Sequence, residues 1–202
     1  MTITHVFFDI GGVLGTNGWD REQRANAIRR YGLDGEGFER RHEDAVGTFE
    51  AGKMTLDEYL DDTVFCEERP FSREEFKAFM RAQSAPFPES IQVARELAGS
   101  GRHVLMTLNN ESAELNLHRL SNFGLVPLFA AFFSSCWVGA VKPSRRIYEV
   151  AREVSQADPA RSVFIDDRAH NLAPAAALGM RTILFKDAGQ LRRDLAALGV
   201  GA

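Results

Sequence analysis

Val6-Phe7-Phe8-Asp9-Ile10-Gly11-Gly12 and Ser162-Val163-Phe164-Ile165-Asp166-Asp167 share one pattern, an apolar run of β-branched and aromatic residues that stops at carboxylates. Short continuous apolar runs fit strands covered on both faces, as in a parallel sheet. In an open parallel sheet, ligands bind beyond the carboxyl ends of the strands. Acids that close two such runs therefore belong to one face. A carboxylate is seldom buried unless it is paired or bound to a metal. Asp9, Asp166 and Asp167 thus call for a cation, supplied by Lys142, which follows a third apolar run, and by a metal ion.

The rest of the chain supports this reading. Strands are expected at His5–Asp9, His103–Leu108, Ala131–Ser134, Val163–Asp166 and Thr182–Phe185. Helical spacing separates them, with Ile147, Tyr148, Val150, Ala151 and Val154 behind Ser144 as N-cap. Further helices are expected over Glu89–Ala98 and Glu111–Asn122, ending at glycines. Such alternation predicts an α/β, doubly wound parallel sheet in three layers. Between about Thr16 and Ala85 it fails: the stretch is charged and helical, with capping boxes at Thr55–Glu58 and Ser72–Glu75. We read residues 16–85 as an inserted helical cap and residues 1–15 with 86–202 as the core, the return running through Pro86-Phe87-Pro88.

Composition narrows the function. A 202-residue chain with 45% hydrophobic and 26% charged residues is ordinary for a globular protein, and a net charge of −4 offers no basic footprint for nucleic acid. Neither a signal peptide nor a membrane-spanning run is evident, so a cytoplasmic protein is expected, without membrane or nucleic-acid partners. Cys66 and Cys136 are isolated and read as reduced thiols, and the five histidines lack zinc spacing. His170 stands out because it follows the Asp166-Asp167 pair. Nothing in the sequence specifies an oligomeric state.

With these motifs in order, the chain resembles the haloacid dehalogenase superfamily over nearly its whole length. Phe8-Asp9-Ile10-Gly11-Gly12-Val13-Leu14 is similar to the nucleophile loop, Gly139 to Tyr148 to the lysine segment, and Val163 to Asp167 with Asn171 and Leu178-Gly179-Met180 to the acidic motif. The resemblance implies a Rossmann-like core and a phosphatase acting on a small phosphorylated metabolite through an aspartyl-phosphate on Asp9. The chemistry agrees, since a carboxylate attacking a phosphate dianion needs cations to neutralise charge. Lys142 and Mg²⁺ would do so, with Asp9, Asp167, the Gly11 carbonyl and Asp166 as metal ligands. Gly12, Thr107, Asn109 and Lys142 are candidates to hold the phosphoryl group, and Asn171 to position the acidic loop or Lys142. Trp19, Arg21, Phe49 and Lys53 are candidate cap specificity residues, and Trp137 reads as packing.

Two positions depart from the family pattern. A second aspartate commonly lies two residues after the nucleophile and protonates the leaving oxygen; here that residue is Gly11, which leaves the acid to a cap residue or water. The usual Ser or Thr before Asn falls on Leu108. Either a bulge re-aims Thr107, or Asn109 and backbone N–H groups hold the phosphate. Gly11 also permits a cofactor-independent dehalogenase, which the repulsion between paired carboxylates opposes. A binding protein that retains the fold is the non-enzymatic alternative.

Overall fold

Strand pairing brings the acids together. The computed structural model describes residues 2–201. Among these, β1 (His5–Phe8), β2 (Val104–Asn109), β3 (Ala131–Ser134), β4 (Ser162–Asp166) and β5 (Arg181–Leu184) form one sheet in the order β3-β2-β1-β4-β5. Every neighbouring pair is parallel. Phe8 pairs with Ile165, so β1 and β4 end at the same level, and Asp9 N–H donates to the Ile165 carbonyl at 2.9 Å. All five expected strands are present, within one or two residues of the boundaries read from the sequence.

The helices are α1 (Arg21–Tyr31), α2 (Gly35–Glu50), α3 (Leu56–Thr63), α4 (Arg73–Ala82), α5 (Pro88–Ser100), α6 (Ala113–Asn122), α7 (Ser135–Val138), α8 (Arg145–Ser155), α9 (Ala169–Ala177) and α10 (Ala188–Ala197). Side-chain alternation assigns them to layers. Val6, Phe8, Leu105, Val163 and Ile165 pack with Ile91, Leu97, Leu191 and Leu195 of α5 and α10. The opposite face of the same strands sends Phe7, Met106, Leu108 and Phe164 against Ile147, Tyr148, Leu172 and Ala175 of α8 and α9. α5 carries Pro88 in its first turn and stops at Gly101, whose φ of 64° suits a left-handed cap. α6 starts later than expected, because Ser112 keeps extended N-cap geometry and the Glu111 carboxylate takes its N–H. In α8 the side chain of Ser144 makes no capping bond, and Val154 is exposed rather than part of the apolar face.

Four helices, α1 to α4, occupy the inserted stretch and have their own apolar centre of Trp19, Phe38, Phe49, Tyr59 and Phe76. At the start of α3, Thr55 and Glu58 form both halves of a capping box; at α4, Ser72 accepts from Glu75 N–H without the reciprocal bond. The chain leaves and re-enters the sheet layer side by side. Thr16 N–H donates to Ala85 O at 2.9 Å, and Phe87 N–H to Leu14 O at 2.8 Å. Among the described residues, no helix is long and apolar enough to cross a membrane.

The insertion's polar centre is Tyr59, fully buried, whose hydroxyl takes the Trp19 indole N–H at 2.9 Å and meets His42 Nδ1 at 2.8 Å. Tyr59→Phe removes the hydrogen-bond partner of both groups. The expected loss is about 1–3 kcal/mol, read as a lower urea midpoint with an unchanged m-value. A loss below about 0.5 kcal/mol would show that these bonds do not hold the helices together.

Candidate active site

Asp9, first residue beyond β1, is 6% exposed, and Lys142 and Asp166 are 5% and 0% exposed. Lys142 Nζ lies 2.9 Å from Asp9 Oδ1 and 2.7 Å from Asp166 Oδ2. A single ammonium therefore serves two buried carboxylates. Burial raises the Asp9 pKa well above the ordinary carboxylate range, and the Lys142 charge opposes that rise. Burial also pulls Lys142 down, but the two carboxylates outweigh it and keep the ammonium charged.

Asp166 is fully committed. Its Oδ1 accepts from Arg168 N–H at 2.8 Å, and Asn171 Nδ2 lies 3.1 Å from both oxygens, while Oδ2 receives Lys142. Asn171 thus positions the acidic loop, and its own carbonyl is held by the Tyr148 hydroxyl at 2.7 Å. These bonds place Asp166 beside Lys142 as an orienting group, with its lone pairs already engaged. Asp167 is the opposite case: its Oδ1 is buried and has no hydrogen-bond partner among the described residues. Burial, then repulsion by Asp166, raises its pKa.

One carboxylate oxygen from each of Asp9, Asp166 and Asp167 lies within 4.8 Å of the others. Three acids around one lysine leave an excess of negative charge, and the orphaned Asp167 oxygen is one that could hold a cation. The donor set suits a hard divalent ion. Gly12 makes room for it: at φ +74°, a Cβ there would sit 2.3 Å from the Asp167 carboxyl.

A cavity of about 250 Å³ opens onto Asp9, Gly11 and Lys142. Its far wall comes from the inserted stretch and includes Trp19, Asp20, Arg24, His42 and Glu50; Asn110, Glu111, Arg119, Arg168 and His170 are among the other lining residues. Most of these were invisible in the sequence, where charged helical residues read as solvated surface. Arg168 and Asp20 form an ion pair across the cavity mouth. Arg119, 1% exposed, bonds the Thr16 carbonyl and lies 3.5 Å from Glu111. Burial drives His42 down to about 4, so its ring is neutral. Glu50 is pushed up to about 7, first by burial and then by Glu111, against Arg168 and Lys142.

Several expected phosphoryl-binding residues lie elsewhere. β2 is regular, so Thr107 is carried to the face of the sheet under α5, fully buried with its hydroxyl unpartnered. No bulge re-aims it. Asn109 is closed into a ring with Asn116 and Ser134, bonded at 2.9–3.1 Å, and does not line the cavity. Asn110 does, and it clamps Lys142: Lys142 N–H donates to its Oδ1 at 2.7 Å, and its Nδ2 to the Lys142 carbonyl at 3.0 Å. The adjacent asparagines at the end of β2 were the sequence signal for this. Gly12 gives its N–H to Gly15 O at 2.8 Å, so it serves the loop and Asp167 rather than a phosphate. Of the cap candidates only Trp19 reaches the cavity; Phe49 is buried against Tyr59 with ring centroids 4.3 Å apart, and Arg21 and Lys53 are exposed. Trp137, expected to pack, is 48% exposed.

The profile of the haloacid dehalogenase-like hydrolases matches residues 3–179. The chain belongs to that family. It is 28% identical to bifunctional epoxide hydrolase 2 of Sus scrofa, over 96% of this chain but 38% of that protein, so it spans well under half of that relative. It is also 28% identical to phosphatase MT3486 of Mycobacterium tuberculosis, over 98% of this chain and 96% of the other. Among solved structures, a family enzyme of Bacteroides thetaiotaomicron in complex with magnesium and inorganic phosphate has a TM-score of 0.74, with 21% identity over 91% of this chain and 94% of that one.

Glu50 yields a stability prediction. Its folded pKa of about 7 exceeds the ordinary 4.5, so the folded chain keeps a proton that the unfolded chain releases. The stability held by that proton is present below pH 4.5 and is lost as pH rises to 7. One unit corresponds to about 1.4 kcal/mol, which sets a ceiling of ~3 kcal/mol. Glu50→Gln is expected to melt several degrees above the parent at pH 8 and level with it at pH 4. An equal gap at both pH values, in thermal melts, would contradict this account.

Proposed function

We propose that this chain is a Mg²⁺-dependent phosphomonoesterase that hydrolyses a small, soluble phosphorylated metabolite through an aspartyl-phosphate on Asp9. The observation that carries the reading is the buried group of Asp9, Lys142 and Asp166 beside the orphaned oxygen of Asp167. A cofactor-independent dehalogenase has no use for a third carboxylate that repels its nucleophile. A phosphatase has, because Mg²⁺ takes oxygen ligands and keeps several waters. The mycobacterial relative is named a phosphatase, and the Bacteroides structure holds magnesium with phosphate, which supports the same reading.

Asp9, Asp167 and the Gly11 carbonyl are the groups that would hold the ion; when bound, it would offset negative charge on the phosphoryl oxygens. Asp9 supplies the attacking oxygen. Its Oδ1 is fixed by Lys142 and by Ile10 N–H at 2.8 Å, which sets the direction in which the carboxylate faces the cavity. Lys142 opposes the rise that burial imposes on the Asp9 pKa and meets the developing charge on the phosphoryl group. Asp166, Asn171 and Asn110 keep Lys142 and its loop in place. Residues 16–85 act as the cap that closes the cavity and selects what enters it, against a core of residues 1–15 and 86–202.

Asp9→Asn is expected to abolish hydrolysis of an aryl phosphate while still unfolding in a cooperative thermal transition, and excess chelator should reduce the parent enzyme to the same level. Turnover that survives both treatments would exclude the covalent, metal-dependent route; a protein inert on a broad panel of esters would instead support a binding role. For Gly12→Ala, the clash with Asp167 predicts at least tenfold weaker Mg²⁺ binding by titration calorimetry, together with ~1–2 kcal/mol of lost stability from the left-handed backbone. Unchanged affinity would remove Asp167 from the metal site.

A further inference from the structure

The proposed reaction needs a proton for its leaving oxygen, and the position that usually supplies one in this family is Gly11. That place is physically taken. A Cβ at Gly11 would lie 3.1 Å from Asn17 Oδ1 and 3.5 Å from Arg119 Nη1, so a neighbouring amide and guanidinium fill the space of a carboxylate. The acid must come from elsewhere on the cavity wall.

The other carboxylates on that wall are engaged, and His170, also on it, is exposed to solvent. Asp20 pairs with Arg168, and Glu111 holds Ser112 N–H and faces Arg119. Lys142 is bound to Asp9 and Asp166, and His42 is a neutral ring tied through Nδ1 to Tyr59. Glu50 differs: it lines the cavity, and its carboxyl makes no hydrogen bond or ion pair with the described residues. Its backbone, in contrast, is fixed to the sheet layer. Ser135 Oγ donates to the Glu50 carbonyl at 2.7 Å and accepts from Glu111 N–H at 3.0 Å. Two residues later Gly52, at φ +69°, passes so close to Cys136 that a Cβ would sit 2.0 Å from the Cys136 carbonyl oxygen. The last turn of α2 is thereby anchored beside the cavity that Glu50 lines.

We propose that Glu50 is the general acid that protonates the leaving oxygen, a role that rests on the phosphomonoesterase reading above. As the bond from Asp9 oxygen to phosphorus forms, the bond from phosphorus to the leaving oxygen breaks, and its electron pair takes the Glu50 proton. A free alcohol and a Glu50 carboxylate result. Water then attacks the phosphorus and gives a proton to Glu50 as the Asp9–phosphoryl bond breaks. Inorganic phosphate leaves, and both carboxyl groups return to their initial states. The upward-shifted pKa of Glu50, set by its burial, by Glu111 and by Asp20 against Arg168 and Lys142, suits a group that gives and retakes a proton near neutrality.

The test is steady-state kinetics of the parent, Glu50→Gln and Glu50→Asp on phosphate esters whose leaving groups run from nitrophenol through phenol to a simple alkanol. The parent should show weak dependence on the leaving group. Glu50→Gln should lose about 10²–10⁴-fold in kcat/KM on the alkanol ester, under ~10-fold on the nitrophenyl ester, and the alkaline limb of the pH profile; Glu50→Asp should recover part of the loss. Thermal melts confirm that each variant is folded. A uniform loss across the series, or a steep dependence in the parent that Glu50→Gln leaves unchanged, overturns the role of Glu50 while the phosphatase reading stands. A parent no more active than Asp9→Asn on every ester defeats the phosphatase reading and the role of Glu50 with it.

Discussion

Lys142 is asked to neutralise more charge than it carries. Asp9 and Asp166 share its ammonium at 2.9 and 2.7 Å, all three groups are nearly inaccessible to water, and Asp167 stands close by without a partner. Removing one member of a buried ion pair commonly costs ~3–5 kcal/mol, because the survivor cannot regain its hydration. The surrounding structure is arranged around that constraint. Equal strand ends in β1 and β4 set the two acids side by side, Asn171 and Arg168 N–H saturate Asp166, and Asn110 grips both backbone polar groups of Lys142. The residual negative charge is left where it is useful, at Asp9 and Asp167.

The two sides of the cavity have different physical origins. The sheet side is built on strand ends, where pairing fixes each Cα and hydrogen bonds fix each carboxylate. The insertion side is built on helices whose cohesion comes from a separate aromatic cluster centred on Tyr59. Ser135, first residue of α7 just past β3, joins the two by bonding the Glu50 carbonyl and the Glu111 amide together. Charge on the insertion side is arranged in pairs, such as Arg24 with Glu39 and Asp20 with Arg168, so the wall is polar without being strongly basic. Glu50 is exceptional in that wall because its backbone is anchored and its carboxyl is not.

Much of this was legible in the sequence because the strands are buried on both faces. Apolar runs such as Val163-Phe164-Ile165 admit few other interpretations, and the residues that end them fall on one edge by topology alone. The placement of Asp9, Lys142, Asp166, Asp167 and Asn171 around one point followed from that. What was not legible depends on side-chain direction and on contacts between distant segments. Thr107 and Asn109 lie beside the right strand end but on the wrong side of it, and a regular strand offers no way to turn them. Arg119 and Glu50 look like ordinary polar positions on amphipathic helices; only the packing of α2 and α6 against the strand ends buries them. Ser72 and Ser144 were legible as helix starts, though neither completes the side-chain pattern its sequence allowed.

The position of β1 imposes an order on how the chain is made. It is the central strand and precedes both its partners, β2 and β4, which lie beyond the whole insertion. Until residues 104–109 exist, Val6, Phe7 and Phe8 have no sheet to join. The helices of the insertion meet mostly neighbours near in sequence, and contacts of that kind form early. The growing chain therefore carries a water-avoiding segment ahead of the insertion, exposed to wrong pairings, while the insertion becomes structured. His5 and Asp9, which bracket that segment, place polar groups at both of its ends during the interval.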